Sequence, residues 1–242
     1  MTDFKLERYQ YAKDIYFDAD GFRQRVARRL RAIADRLGSH SHGELVVSER
    51  VLEYPLLFHA LDAPPGARIL DFGCVGGLFS LHLACLGYAV TGLDFRTYPF
   101  RHKNLTFVKG DILSWQPPRD RYDAAVSVST IEHVGLGAYG DPRNSDGDKV
   151  AIDKLLASIR PGGRLYFTVP AGKPREIWHE RVYDLERVEA IVPSLESVRF
   201  FYKPSRHGEW KETTAHVIAG LEWEDYTASR ASQGLAFVTV RK

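Results

Sequence analysis

A chain of 242 residues that is 44% hydrophobic and 26% charged has room for one large α/β domain and is too ordinary in polarity for a disordered or fibrous protein. A formal charge of +2 gives no global reason to expect nucleic acid as a partner. Two cysteines, Cys74 and Cys85, make neither a zinc motif nor a disulfide framework, and the charged start Met1–Tyr9 has no signal-peptide core, so a cytoplasmic protein is expected.

Residues 1–20 read as irregular and aromatic. Over 22–37, Phe22, Val26, Leu30, Ile33 and Leu37 recur at helical spacing, and six arginines fill the other faces. Such a face is ordinarily solvated; an anionic partner such as RNA is the alternative, but no RNA-binding signature accompanies it. A turn with His40 and His42 precedes a second predicted helix at 44–60, and Ala63-Pro64-Pro65-Gly66 punctuates the chain. This separates an N-terminal helical extension, 1–60, from a globular unit, 61–242.

Strands are predicted at Arg68–Phe72, Ala89–Leu93, Leu105–Lys109, Ala124–Val128 and Arg164–Val169. Helices are predicted at Gly77–Leu86, Lys149–Ile159 and Asp184–Ile191. Strand–helix alternation means a parallel sheet covered on both faces. Val198–Tyr202 and Leu235–Arg241 read as an antiparallel pair at one sheet edge, with an irregular insertion between them. The run from Phe72 to Leu93 holds no Asp, Glu, Lys or Arg and is long enough to span a bilayer. Its five glycines and the flanking Asp71 and Asp94 divide it instead into strand end, turn, helix and strand.

The stretch Ile69-Leu70-Asp71-Phe72-Gly73-Cys74-Val75-Gly76-Gly77 joins strand to glycine-rich turn to helix, the layout of a nucleotide-type cofactor site. In a dinucleotide site a pyrophosphate would rest at the helix start, where Asp71 would repel it. A sulfonium and an α-amino group reverse the sign, so S-adenosylmethionine is the expected cofactor. Asp94, 23 positions on, can accept hydrogen bonds from ribose hydroxyls with either cofactor. Asp111 follows the third strand and can take an adenine amine, with Ile112 or Leu113 against the ring. Three acids at the carboxyl ends of three successive strands make the joint signal.

Ile69–Gly77, Val90–Asp94, Phe107–Leu113, Tyr122–Val134 and Leu156–Val169 together resemble class I S-adenosylmethionine-dependent methyltransferases. The resemblance covers about half the chain. It implies a doubly wound, Rossmann-like α/β fold, here with N-terminal helices, and a seven-stranded sheet of order 3-2-1-4-5-7-6 with strand seven antiparallel. Candidate cofactor-binding residues are Asp71, Gly73, Cys74, Gly76, Asp94, Phe95, Asp111, Ile112 and Ser129. Glu49–Pro55, Tyr98–His102 and Ser129–Gly137 further resemble a bacterial branch associated with sugar, polysaccharide or secondary-metabolite pathways.

After strand four the chain reads Ser127-Val128-Ser129-Thr130, without the Asn/Asp-Pro-Pro-Tyr of many amide and base N-methyltransferases. Oxygen acceptors are favoured: a hydroxylated small molecule or a sugar or glycan precursor. A hydroxyl needs a base or a metal. His133 has the intrinsic pKa of a general base, with Glu132 beside it; the structural alternative is a helix-capping or loop-binding histidine. Glu132, His133 and His179 also match part of a Mg²⁺-binding Glu-x-x-Glu-His pattern, but Ser129 stands at the first acid's place and two histidines suit Mg²⁺ poorly. Tyr139, Arg143 and His179 are candidate acceptor-binding residues, the first two on a polar loop spanning 135–148. Trp210 and Trp223 offer aromatic faces for a sugar or for ordinary packing. An NAD(P)-dependent oxidoreductase and a non-catalytic cofactor- or RNA-binding module are the competing readings. The sequence sets neither oligomeric state nor acceptor identity.

Overall fold

A computed structural model describes residues 49–205, 208–223 and 232–242. The arginine-rich segment 22–37 and His40 and His42 lie outside the described residues. In chain order the elements are α1 (Arg50–Ala60), β1 (Arg68–Phe72), α2 (Phe79–Cys85), β2 (Ala89–Asp94), β3 (Leu105–Lys109) and β4 (Tyr122–Val128). A 3₁₀ turn (Ile131–His133), α3 (Gly147–Ser158), β5 (Ile159–Pro170), β6 (Arg175–Glu176), β7 (Arg181–Val182) and α4 (Leu185–Ile191) follow. β8 (Leu195–Lys203), β9 (Lys211–Thr213), α5 (Ala215–Ala219) and β10 (Gln233–Arg241) complete the chain.

β1 to β5 pair in parallel in the order 3-2-1-4-5. β10 then inserts antiparallel between β5 and β8, and β9 closes the edge. The full order is 3-2-1-4-5-10-8-9. Its first seven positions reproduce the expected 3-2-1-4-5-7-6 arrangement with an antiparallel last-in-sequence strand. The expected count of seven is corrected to eight.

The eighth strand lies in the stretch that the sequence suggested was irregular. Lys211-Glu212-Thr213 has no apolar alternation; it pairs because Phe200–Tyr202 offers an open edge. Bidentate contacts of Arg199 with Glu212, both 2.8 Å, reinforce that pairing. β8 and β10 do pair antiparallel, yet neither is the edge. Every residue of β10 from Gln233 to Val240 is buried, as expected of a strand covered on both faces.

The strand period divides the core in two. On β10, Ala236, Val238 and Val240 enter one apolar cluster with Ile152, Leu155, Val188 and Ile218 from α3, α4 and α5. Leu235 and Phe237 enter the other, with Leu57, Phe79 and Leu83 from α1 and α2. α1 falls before the expected 60/61 boundary, yet its Leu57 and Glu53 are fully buried.

The uncharged run from Phe72 to Leu93 resolves into the end of β1, a turn, the seven-residue α2 and most of β2. Among the described residues no helix is long and apolar enough to cross a membrane. Arg160-Pro161-Gly162-Gly163, between the predicted helix Lys149–Ile159 and the predicted strand Arg164–Val169, is part of the start of β5, where the register against β4 slips between Tyr122 and Ala124. The carboxyl ends of β1, β2, β4 and β5 share one edge of the sheet, and the turns leaving them carry the candidate site.

Candidate active site

The turn after β1 is shaped by two glycines with left-handed backbone, Gly73 at φ +76° and Gly76 at φ +102°. Gly73 is also sterically required. A Cβ there would stand 2.2 Å from the Thr130 side chain, on the turn leaving β4. Its N–H donates to Leu93 O at 2.8 Å, tying the loop to β2.

Val75 stands where a dinucleotide fingerprint has its middle glycine. Its N–H donates to Asp94 Oδ2 at 2.9 Å. Arg96 holds the same carboxylate from outside: its N–H donates to Oδ1 at 2.8 Å, and its Nη2 reaches Oδ2 at 3.3 Å and Val75 O at 2.5 Å. The Arg96 guanidinium also lies 5.7 Å from the Phe95 ring and 5.9 Å from the Tyr139 ring. Asp94, expected as an acceptor for ribose hydroxyls, spends its carboxylate here on Val75 N–H and on Arg96, whose side chain is 45% exposed. Sequence reasoning missed Arg96, although it follows Asp94 by two positions.

Asp71 is 2% exposed and accepts a hydrogen bond from Ser80 Oγ on α2. Burial pushes its carboxyl up to about 7, with Asp94 adding to the rise and Ser80 opposing it. The carboxyl therefore lies buried beneath the loop, against α2. Cys74 is also buried, with its thiol over Gly92; a Cβ on Gly92 would meet Sγ at 2.8 Å. The Cys74 side chain fills the gap between the loop and β2. Asp111 Oδ1 accepts from Leu113 N–H at 3.0 Å and shapes the turn after β3. Of the two apolar residues that follow, Ile112 packs into the core at 2% exposure and Leu113 is half-buried.

Across the edge, a cavity of about 240 Å³ is walled by residues from α1, the turn after β4, the end of β5, the turn between β6 and β7, the segments before β9 and β10, and the start of β10. It gathers Ser129, Glu132, His133, Tyr139 and His179 with Trp210 and Trp223. It does not gather Arg143, which is exposed and lies against Gly137 on the loop's outer side.

Within the cavity, His133 Nδ1 lies 2.5 Å from the His179 carbonyl. A carbonyl only accepts, so Nδ1 carries the hydrogen and Nε2 keeps its lone pair. Burial lowers the His133 pKa to about 4, against partial relief from the His179 carbonyl. The intrinsic value near neutrality expected from the residue type is corrected downward: the ring is an unprotonated acceptor throughout the physiological range. Glu132 Oε1 is 3.6 Å from His133 Nε2, and Glu132 is 1% exposed. Burial holds its carboxyl well above the usual range, and Glu180 adds like charge.

Glu53 of α1 is a buried centre that sequence reasoning left without a role. It accepts from Ser129 Oγ at 2.5 Å, Thr168 Oγ1 at 2.6 Å and Arg50 Nη1 at 2.5 Å. These bonds hold Ser129 at φ +41°, a left-handed conformation uncommon for a serine, at the end of β4. Arg181 is the second buried group that was missed. It is fully buried, and its Nη1 donates to Val134 O at 2.7 Å while Nη2 reaches Asn144 O and Ser145 O. Asp141 adds a bond from Gly135 N–H at 2.7 Å. The loop expected at 135–148 is thereby pinned and brings Tyr139 to 5.3 Å from the His133 ring.

The metal reading fails on geometry. Among the described residues no group of three His, Cys, Asp or Glu side chains is arranged to hold an ion. His133 Nδ1 is engaged by a carbonyl, and Ser129, in the first acid's place, is bound to Glu53. The residues do fit S-adenosylmethionine. Gly73 and Gly76 give the turn after β1 a left-handed backbone free of side chains, and two buried carboxyls, Asp71 and Asp94, lie beside it. Two such carboxyls suit a cation and oppose a pyrophosphate.

A family model for a methyltransferase domain matches residues 23–210, more than half the chain. A ubiquinone biosynthesis O-methyltransferase from Photorhabdus laumondii is 27% identical over 177 residues, which is 67% of this chain and 68% of the relative. The structure of an S-adenosylmethionine-dependent methyltransferase from Mesorhizobium loti superposes with a TM-score of 0.52 at 17% identity, over 78% of this chain and 97% of that one. A Burkholderia thailandensis 1,6-didemethyltoxoflavin-N1-methyltransferase, solved with S-adenosylhomocysteine, gives 0.53 at 14% identity over 93% and 92%. The chain belongs to the methyltransferase-domain family. Its glycine loop and paired acids make it an S-adenosylmethionine-dependent enzyme of that family, in place of the dehydrogenase alternative.

Proposed function

We propose that this enzyme transfers a methyl group to a hydroxyl oxygen of a hydroxylated small molecule, such as a sugar or glycan precursor, with His133 as the base. The observation that carries the reading is a half-buried imidazole whose Nδ1–H is spent on a carbonyl and whose Nε2 is left as an acceptor in the cavity wall. The O-methyl chemistry named for the ubiquinone-pathway relatives supports the same reading. So does the absence of an Asn/Asp-Pro-Pro-Tyr element at Ser127–Thr130.

When bound, the cofactor supplies a methyl group made electrophilic by its sulfonium. The residues of the chain do the rest. The Gly73–Gly76 loop, Asp94, Phe95, Asp111 and Leu113 bind and orient the cofactor, and Asp71 supplies negative charge from beneath. Tyr139 and His179 hold the acceptor. Nε2 of His133 receives the hydroxyl proton, and Glu132, at 3.6 Å, faces the imidazolium that forms. Charge is conserved in this arrangement: the positive charge lost when the methyl leaves sulfur reappears on the ring. Burial makes either lone charge costly, so the Glu132–His133 pair is suited to hold a proton only while the acceptor is being methylated.

Labelled-methyl transfer to sugars, nucleotide-sugars and phenols, with and without a chelator, tests the reading. A methyl ether formed equally well in chelator is expected. His133→Ala should lower kcat by about 10²–10⁴ and leave S-adenosylhomocysteine affinity unchanged. A wild-type rate in that variant, or N-methylated product alone, would sink the proposal.

A further inference from the structure

Glu53 is fully buried on α1, yet it is not among the described residues that wall the acceptor cavity. Its Oε1 accepts from Ser129 Oγ at 2.5 Å and from Thr168 Oγ1 at 2.6 Å, and its Oε2 accepts from Arg50 Nη1 at 2.5 Å. Thr168 gives its hydroxyl hydrogen to Glu53 and accepts Ser129 N–H at 3.0 Å. The side chain of Ser129 and its main-chain N–H therefore both end on Glu53, one directly and one through the hydroxyl that Glu53 orients. The two partners lie 76 and 115 positions further along the chain.

Helix docking does not call for this carboxylate. Leu57 is fully buried, the Tyr54 ring lies 5.0 Å from that of Phe79, and Tyr54 Oη accepts Leu78 N–H at 3.2 Å. An apolar side chain at 53 would hold α1 at less cost in desolvation. What a carboxylate adds is direction, because its oxygens fix where two hydroxyls point. The joint it directs is Ser129, at φ +41°. A non-glycine residue stays in that region only where its surroundings over-determine it. The next residue, Thr130, has its side chain against Gly73, and its carbonyl accepts His133 N–H at 3.1 Å across the 3₁₀ turn. Its Oγ1 donates to Val128 O at 3.0 Å. Rotation at Ser129 would carry Thr130 and the His133 ring together, and would part His133 Nδ1 from the His179 carbonyl, 2.5 Å away.

We propose that Glu53 is a positioning residue for methyl transfer. Acting through Ser129, it sets the turn after β4 so that His133 keeps Nδ1 on the His179 carbonyl and Nε2 as the acceptor. This rests on the reading of His133 as the base and adds that the base is aligned from α1, a helix that precedes the expected 60/61 boundary. Glu53 takes no part in the proton transfer itself.

The test compares the full chain with its Glu53→Leu, Glu53→Gln and Ser129→Ala variants. Labelled-methyl transfer is measured with the acceptor that the wild type uses best among the sugars, nucleotide-sugars and phenols above, and the histidine rings are followed in long-range ¹H–¹⁵N spectra. Glu53→Leu should lower kcat about 100-fold, the loss that follows a misplacement of about 1 Å, with acceptor KM within about threefold of wild type. S-adenosylhomocysteine affinity should change by less than about tenfold, because Thr130 still backs the Gly73 loop. Glu53→Gln keeps an oxygen for both hydroxyls and should hold kcat to within about tenfold of wild type. The His133 ring should be a single Nδ1–H tautomer in the wild type and in Glu53→Gln, and a mixture in Glu53→Leu. Ser129→Ala leaves Glu53 its bonds to Thr168 and Arg50 and should lower kcat about tenfold; adding it to Glu53→Leu should lower kcat no further. A wild-type kcat with a single tautomer in Glu53→Leu overturns the inference and leaves O-methylation standing, and so do losses that multiply in the double variant. A tautomer mixture with a wild-type kcat overturns the base reading and the inference with it, as does a wild type that forms no methyl ether with any acceptor. If Glu53→Leu does not fold, Ser129→Ala decides: a wild-type kcat there overturns the inference.

Discussion

The two halves of the site are built in different ways. The cofactor side is assembled from neighbours in sequence: a loop of five residues, an acid at the end of the next strand, and a turn after the third. Its contacts run largely through main-chain groups, such as Val75 N–H to Asp94 and Gly73 N–H to Leu93 O. The acceptor side draws on segments as far apart as Arg50 and Leu235, and side chains hold it together. Glu53 reaches Ser129 and Thr168 from a helix more than 70 positions earlier, and Arg181 reaches back to Val134. A half made of local backbone is constrained by conformation. A half made of distant side chains is constrained by packing, so it can vary its ligand while the first half keeps its own.

The sharpest break between the halves should come from Gly73→Ala. The new methyl would sit 2.2 Å from Thr130 in a left-handed position. Strain of about 3 kcal/mol or more is expected, enough to weaken S-adenosylhomocysteine binding by about 100-fold or more. Pairing it with Thr130→Gly should recover part of that loss in calorimetry. No effect of the single variant would mean that the loop does not lie against the turn after β4.

Arg181→Met attacks the other half. It removes the guanidinium that holds the loop's carbonyls and leaves Asp148, 4% exposed, without its ion partner at 3.7 Å. A loss of about 3–5 kcal/mol is expected, seen as a fall of about 10 °C in Tm. Below the transition, S-adenosylhomocysteine binding should persist while methyl transfer drops. Equal loss of both would show that the halves are not separable.

The smallest effect tests the charge beneath the loop. Burial raises the Asp71 carboxyl to about 7, so it ionises across neutrality. The preference for S-adenosylmethionine over the uncharged-sulfur product should therefore grow several-fold from pH 6 to pH 8, by up to about tenfold per unit. Asp71→Asn should flatten that profile. The linkage to stability has the opposite sign. Between its ordinary range and about 7 the folded chain binds more protons than the unfolded one, so ligand-free stability falls as pH rises through that window. Thermal denaturation of the Asp71→Asn protein should lack that slope.

Much of the fold was legible because strand and helix periods are local. β1, β3 and the cofactor loop stand where their residues indicated, and the antiparallel insertion of β10 followed from the resemblance. β9 was not legible, since three polar residues carry no period and pair only because β8 presents an edge. The site was half legible. Asp94 and Asp111 were marked by strand ends and His133 by the turn after β4. Arg96, Glu53 and Arg181 were not, because a charged side chain in sequence does not reveal whether it is solvated or buried with partners.

The sequence alone determined the parallel frame, the glycine turn and the sign of charge beside it, because each follows from residues within one or two elements. Tertiary structure alone decided which side chains come together at the cavity and which nitrogen of His133 keeps its lone pair. Those depend on burial and on contacts between segments far apart in the chain, and burial is what turns a carboxyl or an imidazole away from its ordinary protonation.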